Sequence, residues 1–121
     1  MKIKIKRFKI VKSTNDIALK LIRKRISGPI LITAIKQTKG RGRVGKKWIS
    51  KTGNLFISLF FKFEKRKINF KQFSILNAFI LRKLVSKFFS KNIKIKWPND
   101  LLYKKKKICG ILQEVISYNQ K

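Results

Sequence analysis

The sequence contains no histidine, one cysteine, two prolines and only four acidic residues in 121. Without histidine, imidazole acid–base chemistry and histidine-ligated zinc are excluded. The lone Cys109 excludes an internal disulfide and any site built from several thiolates. No apolar run approaches the roughly 20 residues needed to cross a bilayer. The basic N-terminus alternates polar and apolar residues from Met1 to Lys12 and lacks the continuous apolar stretch of an export signal. A cytoplasmic location with no membrane partner is the expectation.

What the chain does have is apolar bulk and positive charge. A hydrophobic fraction of 44% with ten phenylalanines predicts one folded domain rather than disorder. Thirty-three lysines and arginines give a formal charge of +29. Such a charge binds polyanions non-specifically through phosphate contacts. The basic residues are mostly lysine, run through every segment, and accompany abundant Ile, Phe and Asn, the residues of A+T-rich codons. Compositional drift is therefore favoured over a dedicated nucleic-acid interface, and no specific nucleic-acid partner is expected.

Periodicity predicts the order β-α-β-β-α-β-β-β. Lys2–Val11 reads as a strand broken near Arg7. Ser13 and Asp16 form a variant capping box that starts a helix running to about Ile26. Gly28-Pro29 is a turn before a strand at Ile30–Ile35, and Leu55–Phe63 is a second strongly β-prone run. Glu64–Asn69 is a polar connection. Phe70–Ser90 has helical spacing, with its phenylalanines assigned to the core. Ile93–Trp97 alternates, and Leu101–Tyr103 with Ile108–Val115 reads as a hairpin whose tip is Lys104–Lys107. The predicted class is α/β (α+β), with helices beside a mixed or antiparallel sheet.

Three motifs carry chemistry. Gly40-Arg41-Gly42-Arg43-Val44-Gly45 is a loop that can fold tightly around an anion, with Arg41 and Arg43 as cationic forks and Trp48 as a flat face nearby. It matches the dinucleotide fingerprint in spacing only, because a β-strand rather than a helix follows. Taken alone, the loop favours the plainer reading, a flexible solvated loop with an incidentally exposed Trp48. Lys96-Trp97-Pro98-Asn99-Asp100 places a lysine at the end of a strand, where a point charge can meet a phosphoryl oxygen or simply face water. Ser13-Thr14-Asn15 is a helix N-cap that can also hold a small polar ligand group. Cys109, in an apolar strand, reads as an inert buried thiol.

Taken together in this order, these motifs resemble the catalytic domain of biotin–protein ligases (biotin–[acetyl-CoA-carboxylase] ligase). The matching pieces are Ser13-Thr14-Asn15, then Gln37-x-x-Gly40-Arg41-Gly42-Arg43-x-Gly45-x-x-Trp48, then Asn54-Leu55. They close with Lys96-Trp97-Pro98-Asn99-Asp100 and Ile108-Cys109-Gly110-Ile111-Leu112-x-Glu114. The resemblance implies the biotin/lipoate ligase fold, related to class II synthetases. It implies formation of biotinyl-5′-AMP from biotin and ATP, then transfer to a lysine of the biotin carboxyl carrier protein of acetyl-CoA carboxylase. It further implies that Ser13, Thr14, Asn15, Gln37, Arg41, Gly42, Arg43 and Lys96 bind biotin. Gly40, Arg43, Trp48 and Asn99 would bind the nucleotide, and Lys96 and Arg41 would act on the reacting anions.

With four acids in the chain, Mg²⁺ is expected to be carried by ATP oxygens, with no protein metal site. Residues 1–121 are expected to be the N-terminal part of that catalytic domain, incomplete, without a helix-turn-helix domain and hence without repressor activity. The family's later Gly-x-Gly-x-Asn-type segment and C-terminal β-barrel are expected to be missing. A lipoate–protein ligase-like enzyme and a basic nucleic-acid-binding module on a decayed ligase scaffold are the alternatives.

Overall fold

Unbroken β-structure from Lys4 to Val11 (β1) replaces the expected break at Arg7. The apolar phase does slip there, but most of β1 is exposed, so either phase is tolerated without bending the backbone. The computed structural model describes residues 1–64 and 69–117, and it divides into two units, Met1–Phe63 and Glu64–Lys121. The predicted order of elements is observed. Part of the expected polar connection, residues 65–68, lies outside the described residues.

In the first unit, β2 (Ile30–Gln37) runs parallel to β1, pairing Lys4 with Ile30 and Val11 with Gln37. It runs antiparallel to β3 (Phe56–Phe60), pairing Ile30 with Phe60 and Ala34 with Phe56. The sheet is therefore mixed, in the order β1-β2-β3. Helix α1 (Thr14–Arg23) packs on β2 and β3. Its Ala18 joins Ile30, Ile32 and Phe60 in the core, flanked by Phe8, Ile17, Leu21 and Ile22.

The helix ends before the expected Ile26. Arg25 adopts a left-handed φ of 57°. The Ile26 N–H then donates to Leu21 O at 3.1 Å and the Arg25 N–H to Ile22 O at 2.8 Å. This closure satisfies the last carbonyls and terminates the helix, here without the usual glycine.

In the second unit, α2 (Phe70–Phe88) packs against β4 (Lys94–Lys96) and β5 (Asp100–Tyr103), and β6 (Lys106–Gly110) completes an antiparallel sheet. Ile93 and Leu101 are fully buried. The hairpin tip is only Lys104-Lys105, both at positive φ, while Lys106 and Lys107 belong to β6. Past Gly110 the described chain has no regular element, so the expected strand to Val115 is not formed. Gln113 instead ties this segment to α2, accepting from Asn77 Nδ2 at 2.9 Å and donating to Phe70 O at 3.1 Å.

Three of the four phenylalanines of α2 are exposed rather than core, and Phe73 is only half-buried. Phe70, Phe79 and Phe88 are 49%, 52% and 77% exposed, and only Ala78 is fully buried. The mismatch of lengths explains it. A helix of 19 residues is about 28 Å long, whereas a four-residue strand such as β5 covers about 13 Å. Local signals nevertheless define the helix start. Asn69 Oδ1 accepts from the Gln72 N–H at 2.9 Å, and Gln72 Oε1 accepts from the Asn69 N–H at 3.2 Å. Asn69→Ala is expected to cost about 1 kcal/mol, read as a lowered denaturation midpoint. No helix among the described residues is long and apolar enough to cross a membrane.

Candidate functional site

Polar side chains are buried in one place in the first unit. Ser13, Thr14, Ser50 and Ser58 are each less than a tenth exposed. Burial of this kind demands partners, and no buried side-chain polar atom among the described residues lacks one. The cluster forms where three elements converge: the capped start of α1, the end of β2, and the inward face of β3.

Gln37, the last residue of β2, is the hub. Its Oε1 accepts from the Thr14 N–H at 2.8 Å and from Thr14 Oγ1 at 3.1 Å, while its Nε2 donates to Ser50 Oγ at 3.1 Å. The amide orientation follows from the chemistry, because a backbone N–H can be met only by the oxygen. Ser50 Oγ passes the chain on to Trp48 O at 3.1 Å. Ser58 Oγ lies 2.8 Å from Thr14 Oγ1 and also contacts Asn15 Oδ1. One hydroxyl proton serves those two acceptors in turn.

The glycine–arginine loop closes over this cluster from its own end. Gly40 is buried against Ser50 and Gln37. The Trp48 N–H donates to Gly40 O at 2.9 Å, the Gly42 N–H donates to Lys46 O, and Arg41 bridges Lys47, so the loop doubles back as a short hairpin. Arg41 points to α1, where Nη1 donates to Ser13 Oγ at 3.3 Å and to Asp16 Oδ1. The second half of the expected capping box is thus replaced. Ser13 Oγ still accepts from the Asp16 N–H at 3.4 Å, but the Asp16 carboxylate is held by Arg41. Arg43 and Gly45 bound a 3-10 turn with Val44 at φ 56°, and Arg43 is exposed. A cleft is lined by Gln37, Gly40, Arg41, Trp48 and Ser50.

The structure therefore brings Ser13, Thr14, Asn15, Gln37, Gly40 and Arg41 together, with Gly42, Arg43 and half-buried Trp48 on the same loop. Lys96 and Asn99 belong to the second unit. Lys96 ends β4 opposite Asp100 and is exposed. Asn99 is buried, and Nδ2 donates to Ile111 O at 2.7 Å while Asn99 O accepts from the Ile111 N–H at 2.9 Å. Lys107 Nζ sits 3.0 Å from Asp100 Oδ1. Burial, reinforced by the Asp100 carboxylate and opposed by Lys107, pushes the Cys109 thiol above its ordinary value. That favours the protonated, unreactive form, but the expected full burial is not met, because Cys109 is only half-buried on the mostly exposed β6.

Sequence reasoning missed Ser50, Ser58 and the tie between Asp16 and Arg41. Ser58 had a signal, since it stands in phase with buried Phe56 and Phe60 on a strand that otherwise alternates cleanly. Ser50 had none.

The fold is shared with solved biotin ligases. The fold is similar to a biotin protein ligase from Aquifex aeolicus in complex with biotin and ATP, with 30% identity and a TM-score of 0.79 over 93% of this chain and 47% of that one. It is also similar to biotin acetyl coenzyme A carboxylase synthetase from Helicobacter pylori with bound biotinylated ATP. There the identity is 25% and the TM-score 0.87 over 95% of this chain and 56% of that one. The chain belongs to the biotin/lipoate A/B protein ligase family, whose model matches residues 7–121. Among curated relatives it is 34% identical to the bifunctional ligase/repressor BirA of Escherichia coli (strain K12) over 88% of its own length. It is 35% identical to the biotin–[acetyl-CoA-carboxylase] ligase of Paracoccus denitrificans over 84%. The chain spans 33% and 43% of the lengths of those two proteins.

Proposed function

We propose that this protein activates biotin with ATP and passes the biotinyl group to a lysine of a biotin carboxyl carrier protein. The observation that carries the reading is the convergence of Ser13-Thr14-Asn15, Gln37 and Arg41 on one buried polar cluster beside a cleft. The same family includes proteins described with biotin and ATP bound. In the first step a biotin carboxylate oxygen attacks the α-phosphorus of ATP, and pyrophosphate leaves. In the second the lysine amine attacks the acyl carbon, AMP leaves, and the amide forms with loss of a proton.

Neither step needs a protein nucleophile, which suits a chain with no histidine and a protonated Cys109. Positioning and charge neutralisation are the demands, and cations meet them. Biotin's cyclic urea offers one acceptor and two donors, a match for the hydroxyls and amides of Ser13, Thr14, Asn15 and Gln37. Arg41, Gly42 and Arg43 would cover the carboxylate and phosphate, and Lys96 would carry charge on the α-phosphate. Gly40, Trp48 and Asn99 are assigned to the nucleotide. Mg²⁺ would arrive with ATP, held mainly by the nucleotide's phosphate oxygens. ATP and a carrier protein as substrates fit a cytoplasmic location.

The family also contains lipoate ligases, so lipoate is the second reading. Titration calorimetry with each acid separates the two. The biotin reading expects saturable binding of biotin that excess lipoate does not displace. Binding of lipoate with indifference to biotin would reverse the assignment.

A further inference from the structure

Met1–Phe63 contains a single acid, Asp16, among its many lysines and arginines. An acid in the first turn of a helix is already favoured by the exposed N–H groups there. Helix electrostatics alone do not account for where this carboxylate points. It reaches across 25 residues of sequence to Arg41, and the same guanidinium nitrogen also meets Ser13 Oγ. The hydrogen bonds at Gly42 and Trp48 close the loop upon itself, whereas Arg41 ties it to α1. The loop needs such a tie. It holds three glycines and a β-branched residue, Val44, in the left-handed region, where a branched side chain is strained.

We propose that Asp16 is a positioning residue for Arg41, holding the glycine–arginine loop on the first turn of α1 so that the guanidinium is oriented before an anionic ligand arrives. The ligand class is a carboxylate with an adjacent phosphate, and in that respect the inference rests on the biotin-activating reading above. The side chains of Arg41 and Asp16 are 26% and 44% exposed. A pair this exposed adds little to global stability. Its loss should therefore appear in loop order and ligand affinity rather than in the melting temperature.

The test uses a Trp97→Phe background, which leaves Trp48 on the loop as the single tryptophan, excited selectively over the two tyrosines. Acrylamide quenching of Trp48 and biotin affinity by calorimetry are measured for Asp16→Asn and Asp16→Glu. Asp16→Asn is expected to make Trp48 more quenchable and to weaken biotin binding about tenfold, with melting unchanged. Asp16→Glu, which keeps the charge, is expected to recover most of both. Unchanged quenching in Asp16→Asn overturns the anchor, and so does tighter biotin binding, which would make Asp16 a competitor for Arg41. If the parent protein binds no biotin, quenching alone decides on the anchor, and it is the functional reading that fails.

Discussion

Replacing Arg41 by alanine is expected to slow biotin-dependent exchange between pyrophosphate and ATP by about 10²–10³-fold, the usual loss when one donor aimed at developing negative charge is removed. The fold should survive. Arg41 is partly exposed and its ion pair is solvent-screened, so circular dichroism and the denaturation midpoint are expected to stay near those of the parent. Arg41→Lys should recover only part of the rate, because an ammonium retains the charge but not the planar fork that meets two oxygens together. Lys96→Ala is expected to produce a loss of the same order. Lys96 is exposed at the end of β4, so its truncation removes a charge without opening the core. Exchange within threefold of the parent in either alanine variant would remove that residue from the reaction.

The second large effect is expected at Gly40. A methyl group there would lie 2.3 Å from Ser50 Oγ, 2.8 Å from Trp48 O and 2.9 Å from Gln37 Nε2. Ser50 can rotate away, but the Trp48 carbonyl is backbone and the Gln37 amide is fixed by two bonds from Thr14. Gly40→Ala is therefore expected to destabilise the protein by about 1–3 kcal/mol. It should also abolish biotin binding, because the displaced amide is the hub of the cluster. Gly42→Ala is the steric control. Its added methyl would come no closer than 3.7 Å to Lys46, and the denaturation midpoint should hold. Equal midpoints for the two variants would contradict the close packing described around Gly40.

These expectations rest on particular residues, and so does the extent to which the sequence foretold them. The element order was legible because each element announces itself locally, as with the Ser13 cap and the five-residue alternation of Phe56–Phe60. Element ends were less legible, because they depend on tertiary events. Arg25 closes α1 in a conformation that usually selects glycine. The hairpin tip shrank to Lys104-Lys105 because Lys106 pairs with Tyr103. Burial on α2 was misjudged, since helical periodicity shows that a helix has an apolar face and not how much sheet is available to cover it.

Within the site, Ser13, Thr14, Gln37 and Arg41 were found through their motifs, and their convergence depended on β2 delivering Gln37 beside the start of α1. Asp16 was read as a local cap. Its long-range bond to Arg41 was invisible because one side chain satisfies either role, and only the folded chain brings the loop within reach.

The most direct measurement of the central claim is the incorporation of labelled pyrophosphate into ATP by the folded protein. The account predicts incorporation that depends on biotin, is not supported by lipoate, and is slowed about 10²–10³-fold in Arg41→Ala. Folded protein that exchanges no label in the presence of biotin, or that does so only with lipoate, would contradict it.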